Sequence, residues 1–242
     1  MNNNYSNTYP STYAEASHGV QSLQSYVAKV MRQVYGKMFL GLIITAITSF
    51  GVAITPAVSE FILSSPFLFY GLMIVEVGLV LAISAAINKI STLVATSLFF
   101  LYALVNGFTL SVIFFAYEIG NIGLAFVTTS VTFGAMSLYG YVTRQDLSKL
   151  GSFLVMALIG VIIASVVNIF WGNGVLDLII SIAGVIIFIG LTAWDTQKIK
   201  RMASMTDPSM AGKVSTIGAL ELYLDFINLF LYILRLLSRA NK

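Results

Sequence analysis

Cysteine is absent from this chain and histidine occurs once, as His18. The first absence excludes disulfide staples, thiolate catalysis, iron–sulfur clusters and cysteine-ligated zinc. The second argues against a histidine metal site or a catalytic triad, so no enzyme activity is expected. Charge is scarce as well: Asp, Glu, Lys and Arg make up 10% of the 242 residues, against about 25% in soluble domains.

What is present is apolar. Hydrophobic residues supply 58% of the chain and the mean hydropathy is +0.90. Its apolar runs are too long and too many for one or two soluble domains. The expected fold class is therefore all-α, a polytopic membrane protein. Aromatics, at 13%, suit interfacial belts and interior packing. A formal charge of +3 is compatible with nucleic acid, but the distribution of basic residues has a topological explanation, and no nucleic-acid partner is expected.

Residues 1–24 are rich in Asn, Ser, Thr and Tyr, with almost no aliphatic side chains. Such a stretch has too little apolar surface to offset chain entropy, and a disordered cytoplasmic leader is expected. A phosphorylated or binding tail is the alternative. Neither an apolar core nor a small-residue cleavage pattern marks it as a secretory signal. Residues 25–242 form the second unit, a seven-helix transmembrane domain. Ser25 to Lys37 puts Tyr26, Val30 and Val34 on one helical face, which predicts an amphipathic lead-in on the membrane surface.

Seven spans follow, at about Met38–Thr55, Phe67–Ile87, Leu93–Ala116, Ile122–Val142, Gly151–Trp171, Leu176–Trp194 and Thr216–Leu237. Each has roughly the 17–25 residues needed to cross hydrocarbon. Pro56 and Pro66 bound the first loop, and Gly172 with Gly174 marks a tight turn. Lys29, Arg32, Lys37, Lys89, Arg144, Lys149, Lys198, Lys200, Arg201 and Lys213 all fall on one side of this arrangement. The opposite loops hold Glu60, Glu118 and Asp177 and no basic residue. The positive-inside rule then places the N-terminus in the cytoplasm. The last span breaks the rule, because crossing leaves Arg235, Arg239 and Lys242 outside. A re-entrant hairpin would remove the conflict, but nothing in the run breaks a helix, and crossing is expected.

That last span, Val214 to Lys242, carries Glu221, Asp225, Asn228, Tyr232, Arg235 and Arg239 at alternating spacings of four and three. On a helix they form one stripe. Asp225 lies roughly 10–16 Å past the cytosolic edge, where an ionised carboxylate normally faces a bundle interior or a water-filled cavity. A buried acid satisfied by Asn, Thr or Tyr on neighbouring helices is the plainer reading. Asp195 closes the sixth run in LTAWDTQKIKRM; its plain role is an interfacial acid paired with Lys198 or Lys200, with Trp194 as an interfacial anchor. Glu76, midway across the second span, is either a neutral acid bonded to Asn106 or Asn168, or part of an ion site. Asp146 is placed to help start the fifth span. Gly134, Gly140, Gly160, Gly184 and Gly190 are expected at close helix contacts.

If Asp195 and Asp225 meet, the chemistry sharpens. Two carboxyls at hydrogen-bonding distance in low dielectric cannot both ionise cheaply, so they share a proton and titrate as a pair. Protonated, the pair clasps two helices; deprotonated, it repels and can admit a cation, a two-state element suited to a channel. Calcium takes carboxylate oxygens but wants six to eight of them. Asp195, Asp225 and Glu221 would make only a weak, transient calcium site.

At these residues the chain resembles the Bax inhibitor-1 (transmembrane Bax inhibitor motif) family, in its bacterial branch. AWDTQKIK closing the sixth span and ELYLDFINLFLYILRLL in the seventh carry the resemblance; IVEVGLVLAIS and YVTRQDLSKLGSFL support it. It covers about Lys29 to Leu237. The resemblance implies a seven-helix bundle with a central C-terminal helix in a bacterial inner (cell) membrane. It also implies a proton-regulated, calcium-permeable leak controlled by a di-aspartyl pair, which carries over as Asp195 and Asp225. Glu221, Asn228 and Glu76 would be secondary polar lining. The family's basic latch in or just after the second span has no counterpart between Lys37 and Lys89, which leaves Lys89 as the candidate. Expected partners are membrane lipid, calcium, protons and a membrane protein, with no cofactor. The alternative function is a non-transporting regulator that binds a membrane quality-control protease or another stress-response partner, with the leader as contact. An intramembrane aspartyl protease is disfavoured, since no Gly-x-Gly-Asp sequence occurs.

Overall fold

Long apolar runs with few helix breakers give long helices. The computed structural model describes residues 10–240, with side-chain surroundings from residue 21 onward. Among the described residues there are nine α-helices, one short 3-10 turn and no strand. They are α1 (Pro10–Ala53), α2 (Pro56–Ser64), α3 (Pro66–Ala86), α4 (Thr92–Leu110), α5 (Ile113–Ala116), α6 (Ile119–Val142), α7 (Ser148–Trp171), α8 (Gly174–Met205) and α9 (Ala211–Ala240). Seven segments are long and apolar enough to cross a membrane, with α4 and α5 together forming one of them. The chain is an all-α polytopic membrane protein.

The first span departs from expectation. Helix α1 begins at Pro10 and runs without a break for 44 residues, where disorder was expected to Gln24. Proline is tolerated in a helix's first turn, and no other proline follows before Ala53. Residues 1–9 of the expected leader lie outside the described residues. The lead-in does not lie flat on a membrane surface either. Val27, Val30, Met31 and Val34 are buried, so its apolar face continues the face that the rest of α1 turns toward the core. The first loop holds an unforeseen short helix, α2, because Pro56 and Pro66 each sit in the first turn of the helix that they open. The third span is interrupted after Leu110, where the Ser111 hydroxyl donates to the Phe108 carbonyl at 2.6 Å.

Helix α9 is the axis. It packs against α1, α3, α4, α6 and α8, and two thirds (67%) of its most apolar window is buried, against 6% for α3. Its core side chains include Leu222, Tyr223, Leu229 and Leu234, all fully enclosed. Helices α3 and α7 form an outer layer whose large apolar side chains, such as Phe67, Met156 and Phe170, are exposed. That is the pattern expected where lipid is the solvent. Helix α9 has no interruption over 30 residues, about 45 Å at 1.5 Å per residue, so the re-entrant alternative does not hold. Its far end reaches the start of α8, where Arg235 and Arg239 both meet Asp177, at 3.3 and 2.8 Å.

The glycines divide. A Cβ at Gly140 would overlap the Ala193 carbonyl, which fixes the close crossing of α6 and α8. Gly184 makes room for the Tyr232 ring, and Gly190 for Leu154. Gly134 and Gly160 face open space, so the expectation of close contact fails for these two. Gly172 ends α7 at φ 61° in the left-handed region, which glycine adopts without a steric penalty.

Candidate functional site

The polar stripe of α9 lies along α8, which runs antiparallel to it across a turn at residues 206–210. From the turn outward, Glu221 meets Lys198, Asp225 meets Asp195, Tyr232 stacks on Phe188, and Arg235 and Arg239 meet Asp177. Helical periodicity accounts for the match: steps of three and four on one helix face steps of three and four on the other.

Asp195 and Asp225 are the buried centre of this seam, 7% and 4% exposed. Their carboxyl groups come within side-chain hydrogen-bonding range of each other. Asp225 Oδ2 is fully enclosed, and among the described residues no N–H or hydroxyl donor reaches it. One turn toward the α8–α9 connection, Lys198 Nζ donates to Glu221 Oε1 at 2.7 Å and to Asp195 Oδ1 at 3.5 Å. Lys198 and Glu221 are partly exposed, at 36% and 26%, so this ion pair is a cap between the acid pair and the surface. On the other side, the Phe188–Tyr232 stack, with ring centroids 5.9 Å apart, closes the seam.

The other residues of AWDTQKIK hold the site in place, and sequence reasoning missed most of them. Gln197 Oε1 accepts from the Leu147 backbone N–H at 3.0 Å, and its Nε2 donates to the Gln145 carbonyl at 2.7 Å. Lys200 donates to the Tyr141 carbonyl at 2.6 Å. Arg201 donates to Asp146 Oδ1 at 3.0 Å. Together they fasten the loop between α6 and α7 to α8. Asp146 also accepts from the Ser148 amide and hydroxyl at 3.0 and 2.7 Å, which starts α7 as expected. The Ser148 hydroxyl first, then Arg201, holds its exposed carboxyl down at about 2. The Trp194 ring fills the space that Gly151 leaves, and Lys198 lies 5.1 Å from its centroid. A signal for these anchors existed in the density of long polar side chains after Trp194. Periodicity alone could not assign their partners, which lie about 50 residues earlier.

Glu76 belongs to a second polar centre. It accepts from Thr109 Oγ1 at 2.6 Å and from Asn106 Nδ2 at 3.3 Å. Asn106 Oδ1 accepts from the Tyr223 hydroxyl at 2.9 Å, and Tyr223 lies 2.5 Å from Thr45 Oγ1. This network joins α3, α4, α9 and α1 on the face of α9 turned away from Asp225. Of the two expected partners, Glu76 therefore takes Asn106; Asn168 instead accepts from the Asn173 amide. Asn228 donates to the Leu224 carbonyl of its own helix at 2.8 Å and does not reach the acids. Lys89 is exposed in the turn after α3 and forms no ion pair with the acids among the described residues. The cation at the pair is Lys198, from the helix that carries Asp195. Among the described residues, no three acids or histidines group at metal-binding spacing; one Glu221 oxygen is held by Lys198.

Residues 27–242 match the family model described as "Inhibitor of apoptosis-promoting Bax1". The "Inner membrane protein YbhL" of Escherichia coli K12 is 47% identical over 222 residues, 90% of this chain and 93% of that protein. An uncharacterised protein of Borreliella burgdorferi is 45% identical over 216 residues, 88% of this chain and 93% of its own length. One from Rickettsia prowazekii is 39% identical over 214 residues, 88% and 90%.

Proposed function

The chain belongs to the Bax inhibitor family of membrane proteins, and from that premise we propose that it is a proton-regulated, calcium-permeable leak channel of the bacterial inner membrane. The observation that carries this reading is the buried contact between Asp195 and Asp225 on two different helices. A carboxylate enclosed without a donor is costly, and a proton shared with its neighbour relieves that cost. The protonated pair clasps α8 to α9. Loss of the proton puts two like charges in contact, and the helices separate or take up a cation.

Surrounding groups suit a closed state with regulated access. The Lys198–Glu221 cap stands between the pair and one surface, and the Phe188–Tyr232 stack seals the other side. Two carboxylates offer too few oxygens to retain calcium, which suits passage over storage. The positive-inside bias supports a cytoplasmic N-terminus, with the cap on the cytoplasmic side. No catalytic step is assigned to any of these residues.

Calcium flux into proteoliposomes, measured across a pH series with wild type and Asp225→Asn, tests the proposal. The amide cannot share the proton in the same way, and pH control of flux is expected to disappear. Unchanged flux with unchanged pH dependence rejects it. Absence of flux in the wild type leaves the non-transporting regulator as the better reading.

A further inference from the structure

Helices α1 and α6 both pack against α9 but scarcely touch one another. Among the described residues one hydrogen bond spans the gap, between the Tyr35 hydroxyl and Ser137 Oγ at 2.6 Å. Four cavities follow one another along this seam. The first, about 830 Å³, holds Arg144 and shares Ala28 and Tyr141 with the next. The second, about 570 Å³, holds Arg32 and shares Tyr35 and Phe133 with the third, of about 390 Å³. The third shares Ala46 and Phe226 with a fourth of about 320 Å³. Each lies within the roughly 300–1,000 Å³ typical of small-molecule sites.

The chemistry changes in one direction along the seam. Arg32 and Arg144 are exposed and form no ion pair among the described residues. Beyond Tyr35 the walls are mainly apolar, with Phe133, Phe226 and Ala46 among them and Ser130, Thr45 and Ser49 the polar exceptions. Arg32 to Ala46 covers about 21 Å of helix, and the apolar part opens toward lipid. A cationic mouth on an apolar groove of that depth fits an amphiphile with an anionic head. We propose that the α1–α6 seam binds one anionic phospholipid from the leaflet nearest Arg32. Its headgroup lies at the Arg32–Arg144 end and one acyl chain lies along Tyr35, Phe133 and Phe226 toward Ala46. The lipid lies over the Phe226 edge of α9, between α1 and α6.

The test uses the full-length protein in an uncharged detergent, titrated by native mass spectrometry. The probes are phosphatidylglycerol and phosphatidylcholine of identical chains, with glycerol phosphate and inorganic phosphate as competitors. Two arginines at a membrane surface predict retention of one phosphatidylglycerol roughly tenfold to thirtyfold more tightly than phosphatidylcholine. The double variant Arg32→Gln/Arg144→Gln is expected to lose that preference. Ala46→Phe fills the groove and is expected to weaken both lipids; Ser130→Leu, on the α6 wall, does the same should Ala46→Phe not fold. Equal binding of the two lipids by wild type overturns the proposal, and so does full phosphatidylglycerol retention in a folded groove-filled variant. Displacement of the lipid by either free phosphate at equal concentration reduces the site to an anion mouth and overturns the groove. A lipid-free dimer covering the seam also overturns it.

Discussion

Removing Lys198 tests the cap and the buried pair together. Its ammonium lies 2.7 Å from Glu221 and 3.5 Å from Asp195. At that range the attraction is of order 1 kcal/mol in water and about 4 kcal/mol at the effective dielectric near a protein surface. With the partners 36% and 26% exposed, screening removes much of it. Exposed pairs measure about 0.2–1 kcal/mol, whereas breaking a buried pair costs about 3–5 kcal/mol. Lys198→Met strands Glu221 beside two further carboxyls, so a loss of about 2–3 kcal/mol is expected. Glu221→Gln alone should cost about 1–2 kcal/mol, and the double variant less than the sum by about 1–2 kcal/mol. At about 2–4 °C per kcal/mol for a chain of this size, Lys198→Met should lower the melting temperature by roughly 4–12 °C. Thermal unfolding in detergent measures all four proteins, and Trp194, stacked on Lys198, reports local change by its fluorescence. Single effects that add to within about 0.5 kcal/mol would refute the coupling, and with it the cap.

Three other outcomes are expected. Gly140→Ala places a Cβ on the Ala193 carbonyl and should cost about 1–3 kcal/mol. Gly134→Ala, in open space, should be neutral or stabilising by up to about 1 kcal/mol; equal melting temperatures for the two would contradict the crossing. The Asp146 carboxyl is held at about 2 by Ser148 and Arg201, below its ordinary value of about 3.9. A depressed folded value means that the stabilisation is present above about pH 4 and is lost as pH falls toward 2. Hydrogen exchange at residues 143–148 should therefore accelerate across that window, but in Asp146→Asn it should be fast throughout. Alkaline phosphatase fused after Lys242 should be active, and the same enzyme inserted between α6 and α7 inactive; equal activity at both places would mean that α9 does not cross.

Apolar run length and charge placement made the seven crossings readable from sequence, and heptad-like spacing exposed the stripe on α9. Those features are local and periodic, so one chain suffices to see them. The partner of Asp225 was not readable that way, because Asp195 is 30 residues distant and looked equally suited to a surface ion pair with Lys198. In the structure Asp195 touches Asp225 and Lys198 together. The partners of Gln197 and Lys200 were not readable because they are backbone groups, the Gln145 and Tyr141 carbonyls and the Leu147 N–H, that no side-chain pattern announces. The disorder expected at residues 10–24 rested on composition alone, which does not register that a helix already propagating can extend through polar residues. Lys89 was favoured as a latch for lack of another base nearby in sequence, while the fold supplies Lys198 one turn from the acid.

The antiparallel matching of α8 and α9 also bears on how the chain enters the membrane during synthesis. Helix α9 presents two acids and two arginines to α8, and a charged side chain at mid-membrane costs about 2.5–3.5 kcal/mol on insertion scales. Alone, it is a poor substrate for lateral release into lipid. Its charges find their complements only on the segment made just before it, so the two helices are best delivered as a hairpin. Until α9 docks, an inserted α8 carries Asp177 without its two arginines, a form that membrane quality control would recognise as unfinished.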